Sequence, residues 1–264
     1  MALLWAIFLP QSKAVEIIAH RGASLIAPEN TLAAINAAIK NKAKFIEIDV
    51  QMTKDKQIVV LHDEKINRTT NAKGFVKDKV LAQLKIYDAG SWFSKEFKDE
   101  KIPSLDEVLN LVRNTDIQLI LEVKNVDNKY PGIESRIVDI VNRSGVPNRI
   151  YYKSFSPDVL KKFKRLDTRK LIYVTIGEIP WLNLTIDEGL RFGSVFDIKE
   201  FDLLQIHHYF SFEKTLKKAR KLNKGIILWD VQNLEAFNKY KSMDIDLIET
   251  DRMDFIKILK DTNS

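Results

Sequence analysis

Cysteine is absent from the 264 residues, which excludes disulfides, thiolate metal sites and cysteine nucleophiles together. A core of this size needs no disulfides, so the absence does not fix the compartment. Glycine (9) and proline (7) are sparse, which excludes a collagen-like or linker-dominated chain. Acidic side chains are outnumbered, 36 against 42 Lys plus Arg, leaving a formal charge of +6. That surplus suits an anionic substrate or an anionic membrane surface. Hydrophobic residues at 45% and charged residues at 30% are the balance of a globular protein and exclude a disordered one. The length fits a single α/β barrel of about 250 residues.

The opening run Ala2 to Leu9 is wholly apolar. As a helix it would span roughly 12 Å at ~1.5 Å per residue, far short of a bilayer. It has the length of a signal-peptide hydrophobic region, and Ser12-Lys13-Ala14 ends in a small-x-small pattern, although no Lys or Arg precedes the run. Residues 1–14 are therefore expected to be a signal peptide of an exported protein, periplasmic or extracellular. The alternative is a cytoplasmic protein whose apolar N-terminal segment packs under the domain. Residues 15–260 are expected to form that domain.

Along the chain, short β-branched runs alternate with helical periodicity. Val15 to His20 reads as a buried strand, Thr31 to Lys40 as a helix with Leu32, Ile35 and Ile39 on one side, and Phe45 to Val50 as the next strand. Ile58 to Leu61 follows, and then a loop-rich insertion over about 64–103. Ser104-Leu-Asp-Glu107 is a capping box opening a helix. The alternation resumes with strands at 117–123, 149–155, 170–176, 202–207, 225–231 and 245–250. Helices lie near 133–141, from Pro157, over 212–222 and from Leu234, and 177–200 reads as irregular. About eight strand–helix units predict a parallel sheet, closed into a (β/α)8 TIM barrel.

Charged residues inside buried strands are expensive unless they are used. Glu47 and Asp49 interrupt Phe45 to Val50 two residues apart, which puts both carboxylates on one face of the strand near the barrel mouth. Glu122 and Lys124 repeat the spacing. Converging carboxylates without cysteine suit a hard divalent cation, Mg2+ or Ca2+. The competing account is a buried ion-pair network in which Lys124 neutralises an acid. Two of the four histidines, His20 and His62, end apolar strands beside these acids, and Arg21-Gly22 follows His20 with a guanidinium suited to two phosphate oxygens. Metal, cations and two histidines together point to phosphoryl chemistry.

His20-Arg21-Gly22 with Pro28-Glu29-Asn30-Thr31, Glu47-x-Asp49, His62-Asp63, Arg68-Thr69-Thr70, Asp88-Ala-Gly-Ser-Trp-Phe93, Glu122-Val-Lys124 and Ser154-Phe155 resemble, in order, the signature of the glycerophosphodiester phosphodiesterase family. The resemblance runs from about residue 16 to 255. It implies a (β/α)8 barrel with an insertion after His62, one divalent cation (Ca2+ or Mg2+) on Glu47, Asp49 and Glu122, catalytic His20 and His62, and phosphate contacts from Arg21 and Lys124. The implied reaction is hydrolysis of a small-molecule glycerophosphodiester to glycerol 3-phosphate and an alcohol. Either histidine can serve as base, and either water or the glycerol 2-hydroxyl as nucleophile. The latter route is similar to that of phosphatidylinositol-specific phospholipases C. Lysophospholipase D or sphingomyelinase D-like action on membrane lipids, with lipid contact through Trp92-Phe93 and Trp181, is the alternative activity, and an inactive phosphodiester-binding barrel the alternative class.

The sequence departs from the family pattern at Trp229-Asp230-Val231-Gln232, where Asp230 adds a carboxylate near the mouth. In Asp246-Leu-Ile-Glu-Thr-Asp251, Glu249 is unusual and Asp251 reads as a strand-end cap. His207-His208 reads as structural or part of the substrate rim. The runs Lys161 to Arg165 and Lys217 to Lys221 fall on barrel helices without interleaved aromatics, so no nucleic-acid partner is expected.

Overall fold

The computed structural model describes residues 15–187 and 189–262. The expected signal segment, 1–14, lies outside them. In chain order the elements are β1 (Glu16–Ala19), α1 (Leu32–Lys40), β2 (Phe45–Met52), β3 (Ile58–Val60), α2 (Leu81–Leu84), α3 (Leu105–Val112), β4 (Gln118–Val123), α4 (Ile133–Arg143), β5 (Ile150–Ser154), α5 (Pro157–Leu166) and β6 (Leu171–Thr175). Then follow β7 (Gly177–Ile179), β8 (Leu184–Ile186), β9 (Leu190–Phe192), β10 (Leu203–His207), α6 (Glu213–Lys221), β11 (Gly225–Trp229), α7 (Leu234–Tyr240), β12 (Leu247–Thr250) and α8 (Asp254–Thr262).

Eight parallel strands, in the order β1-β2-β4-β5-β6-β10-β11-β12, close on themselves because β1 pairs with both β12 and β2. Apolar residues at alternate positions of these strands pack outward against the helical ring, as in Ile46 and Ile48 on β2 or Leu119 and Leu121 on β4. The helices present one apolar stripe each to the strands. On α4, Ile133, Ile137, Ile140 and Val141 are buried. The barrel interior holds a smaller apolar layer of Ile18, Ile120, Ile172, Val174 and Ile227. Above it sits a polar layer.

Two segments decorate the barrel. The segment expected to be a loop-rich insertion, about 64–103, packs with β3 around a small core of Val59, Leu61, Ile66, Val76, Leu84 and Ile102. β3 runs antiparallel to the end of β2 and carries the chain into it. The stretch after β6, read from sequence as irregular, is instead a three-stranded antiparallel sheet, β7-β8-β9. Its strands are three residues each, too short for alternation to register in a sequence window.

Candidate active site

The C-terminal ends of the barrel strands gather the polar residues. Glu47 and Asp49 share a face of β2, and the parallel register sets Asp49 beside Glu122 of β4 and Glu122 beside Lys153 of β5. Glu47, Asp49 and Glu122 are buried, and each offers an oxygen within 4.8 Å of the others. Two ammonium groups divide them. Lys124 Nζ lies 3.2 Å from Asp49 Oδ1 and 2.5 Å from Glu122 Oε1. Lys153 Nζ lies 3.0 Å from Glu122 Oε2, 3.4 Å from Glu47 Oε1 and 2.9 Å from Glu249 Oε2. Gln205 completes this second group by donating to Glu249 Oε1 at 2.8 Å.

Burial acts on all three acids, with different results. It pushes the Glu47 carboxyl up to about 7, aided by the Asp49 and Glu249 charges and opposed by Lys153 and His20. Burial works in the same direction on Asp49, but Lys124, His62, Arg21 and the Asn30 amide overcome it and hold that carboxyl far below the usual range. Glu122 is also held down against burial, by Lys124 and Lys153. Glu47 is therefore the acid of the three whose charge its neighbours compensate least. An all-carboxylate donor set converging within 4.8 Å fits a hard divalent cation.

The two histidines flank the acids, and each is oriented by an aspartate. His20 Nδ1 lies 2.9 Å from Asp251 Oδ1, which also accepts from Ser24 Oγ at 2.7 Å. Gln232 holds the other oxygen of Asp251 at 2.9 Å. His62 Nδ1 lies 2.7 Å from Asp63 Oδ1, and Asp63 in turn is forked by Arg68 at 2.8 and 2.9 Å. With Nδ1 engaged, Nε2 is the nitrogen left for chemistry on both rings. Their proton affinities diverge. Burial lowers that of His20, but the Asp251 bond and the Glu249 and Glu47 charges more than offset it, to about 9. Burial lowers His62 as well, and there the Lys124 and Arg21 charges add to it, so its affinity stays below the ordinary value.

Arg21 needs an unusual backbone. It sits at φ 55° with its N–H donating to Glu47 Oε2 at 3.1 Å, and Gly22 follows at φ 80°. A Cβ on Gly22 would meet the Ala34 backbone at 2.8 Å, so only glycine lets the β1–α1 turn lie this close to α1. The Arg21 guanidinium reaches Glu29 at 3.0 Å and Asp49 at 3.4 Å. Asn30, at φ 60°, donates to Asp49 Oδ2 at 2.8 Å and accepts from the Asp49 N–H at 3.1 Å.

A cavity of about 220 Å³ opens above this layer, and His20, Arg21, His62, Glu122 and Lys124 line it. Glu47 and Asp49 lie beside its lining residue Glu122, within 4.8 Å. All seven residues expected from sequence thus converge. Reading the sequence missed Lys153 and Gln205, although a lysine inside Ile150–Ser154 is the same signal that exposed Glu47. Glu249 was visible only as an oddity, and Asp251, which reads as a cap, holds His20. Asp230 also lines the cavity, its carboxyl pushed up by burial. His207 belongs to the rim, its ring 5.1 Å from that of Trp229. His208 is buried, with its ring against Tyr209 and Tyr240.

Comparison with known proteins gives a consistent result. Residues 20–255 match the model of the glycerophosphoryl diester phosphodiesterase family. The chain is 36% identical over 242 residues to YhdW of Bacillus subtilis (strain 168), provisionally named a glycerophosphodiester phosphodiesterase, covering 91% of this chain and 96% of that one. It is 42% identical over 150 residues to the glycerophosphodiester phosphodiesterase of Caldanaerobacter subterraneus subsp. tengcongensis, covering 57% and 62%. Among solved structures, an Oleispira antarctica phosphodiesterase in complex with the product sn-glycerol-3-phosphate superposes with a TM-score of 0.82 at 26% identity, over 94% of this chain and 97% of that one.

Proposed function

The chain belongs to the glycerophosphoryl diester phosphodiesterase family, and from that premise we propose that it cleaves glycerophosphodiesters to glycerol 3-phosphate and an alcohol, with proton transfer by His20 and His62 and dependence on one divalent cation. The observation that carries the reading is the pair of aspartate-backed histidines on one cavity, over three carboxylates and beside Arg21 and Lys124. Glu47, Asp49 and Glu122 would hold the cation, Mg2+ or Ca2+. When bound, it would supply charge stabilisation to the phosphate oxygens and lower the pKa of a hydroxyl beside it.

The chain's own groups do the rest. Arg21 offers a planar fork and Lys124 a point charge, so together they fix a phosphodiester by two different geometries. The opposite shifts of the histidines support different roles. His20 holds its proton at neutral pH and is suited to deliver it from Nε2 to the departing alkoxide. His62 is neutral there and is suited to take the proton of the nucleophile. Asp251 and Asp63 keep both rings in the required orientation, as second groups do in hydrolase sites generally.

The test is release of glycerol 3-phosphate from glycerophosphocholine with Mg2+ or Ca2+, with and without chelator. Release that stops in chelator and returns with metal is the expected result. No release under any metal condition would overturn the reading.

A further inference from the structure

The β7-β8-β9 sheet is built inside out. In its antiparallel register Glu178 stands beside Thr185 and Thr185 beside Arg191, so these three share a face. That polar face is turned to the protein. Thr185 donates to Gly193 O at 2.8 Å, and Glu178 accepts from Ser194 Oγ at 2.5 Å and from Thr215 Oγ1 of α6 at 2.9 Å. Arg191 binds Asp187 at 3.0 Å and the Tyr173 hydroxyl at 3.1 Å. The same pairing puts Ile179, Leu184, Ile186, Leu190 and Phe192 on the opposite face. This face is wholly apolar: Ile179, Leu184 and Ile186 are half-buried, and Leu190 is 73% and Phe192 87% exposed. The β7–β8 turn adds Trp181, 69% exposed. A two-sided sheet ordinarily buries the apolar face and wets the other. Here the polar contacts lock the reverse arrangement, so the outward face is not free to turn over.

The face is continuous with the active site. Gly177 lies on it, and a Cβ there would meet Phe210 at 2.4 Å, so that ring seats against the β7 backbone. From Phe210 the ring contacts run to His207 at 6.5 Å and on to Trp229 at 5.1 Å, and Trp229 lines the cavity. Cations stand on α6, which meets the sheet through Thr215 and Ser194. The first turns of α6 expose Lys214, Lys217 and Lys218, with Lys217 paired to Glu213 and Lys218 Nζ 3.3 Å from Ser194 Oγ, two residues past Phe192.

We propose that this outward apolar face and the lysines of α6 dock the enzyme on an anionic lipid bilayer, with the mouth of the barrel turned to the surface. A small water-soluble diester needs no apolar ramp to the cavity, whereas a lipid surface presents phosphodiesters beside apolar chains. A second copy of the chain fits less well: the face offers five side chains and a turn, against the roughly 20–30 residues a side of a stable protein interface. A bilayer needs only a few inserted apolar groups plus cations over anionic headgroups. The inference goes beyond the hydrolysis reading, and binding is measured without turnover, so the two fail separately.

The experiment is co-sedimentation of the full chain with vesicles of phosphatidylcholine alone or with phosphatidylglycerol, at low and high salt. Leu190→Ser/Phe192→Ser and Lys214→Glu/Lys218→Glu serve as variants. The wild type is expected to bind the anionic vesicles, less at high salt. Each double variant should bind them at least about tenfold more weakly, while its melting temperature and its rate on glycerophosphocholine match the wild type. Absence of vesicle binding, or binding undiminished by Leu190→Ser/Phe192→Ser, would overturn the proposal. So would a dimer in solution that the same variant converts to a monomer without any vesicle binding.

Discussion

Lys153 and Lys124 both reach Glu122, and their other charge partners set them apart. Lys153 is 2% exposed and touches two of the candidate cation ligands, while its other partner is Glu249. Its ammonium opposes a divalent ion in that site and Glu249 favours one. Lys153→Met is therefore expected to tighten Mg2+ or Ca2+ binding and Glu249→Gln to weaken it, each by about tenfold or more by titration calorimetry. Equal affinities in both would show that the pair does not feel the ion. In chelator, Lys153→Met should also melt lower, since removing one partner of a buried ion pair costs about 3–5 kcal/mol. Lys124→Met is expected to keep metal binding while losing substrate capture, read as a fall in kcat/KM without a collapse of the metal-loaded melt. For His20 and His62, alanine should cost about 100-fold or more in rate with metal content unchanged.

His20 also ties stability to pH. Folded, it keeps its proton to about 9 against 6.5 for the ordinary imidazole. The protonated ring thus adds stability in full below pH 6.5, and that contribution drains away as pH rises through 9. Melting temperatures of the metal-free protein from pH 6 to 10 should fall more steeply for wild type than for Asp251→Asn, whose ring has lost the partner that raises it. Parallel curves would remove Asp251 from that role. The acids of β2 and β4 are legible in the sequence because a carboxylate in a β-branched run has few bland explanations. Asp251 was not, because a polar residue just past a strand end is what any strand end carries.

At the scale of elements, Arg68 ties the insertion to the site, as does Gln51 of β2, whose amide donates to the Leu61, His62 and Asp63 carbonyls. Arg68 forks Asp63, the partner of His62, and also binds both oxygens of Glu29 at 2.7 Å, and Glu29 holds Arg21. The insertion packs with β3 around a small core, so Arg68→Ala should leave it folded but loosen both phosphate- and proton-handling groups. About a tenfold drop in kcat with a melting temperature near wild type is expected, and Arg68→Lys should restore little because the fork is lost. A rate equal to wild type would make the bridge incidental. The helices were readable where caps announced them. Ser104 and Glu107 exchange hydrogen bonds with each other's backbone, as the spacing predicts. The β7-β8-β9 sheet was not, since its polar face is satisfied by Ser194, Thr215 and Tyr173, partners from other parts of the chain that no local pattern reveals.

At the scale of the whole molecule, the polar layer spans the barrel from β2 and β4 through β5 to β12, with Lys153 as its common point. A cation bound there would brace the strands that close the barrel, and adding Mg2+ or Ca2+ to chelator-treated protein should raise its melting temperature with ion concentration, as mass action requires. A melt indifferent to both ions would deny the site. The eightfold alternation made the closed barrel legible early, whereas how its mouth is furnished depends on side chains meeting across the axis from strands far apart in sequence. The cavity itself, at about 220 Å³, is below the roughly 300–1,000 Å³ of pockets that enclose a drug-sized ligand. It has room for one half of a diester, the glycerol phosphate, and leaves the other half to a wider neighbouring cavity of about 380 Å³ that shares Glu122, Lys124 and Phe155 with it. An enzyme so shaped is a connoisseur of one side of the phosphorus and nearly blind to the other: the choline, ethanolamine and glycerol esters should be turned over at rates of the same order.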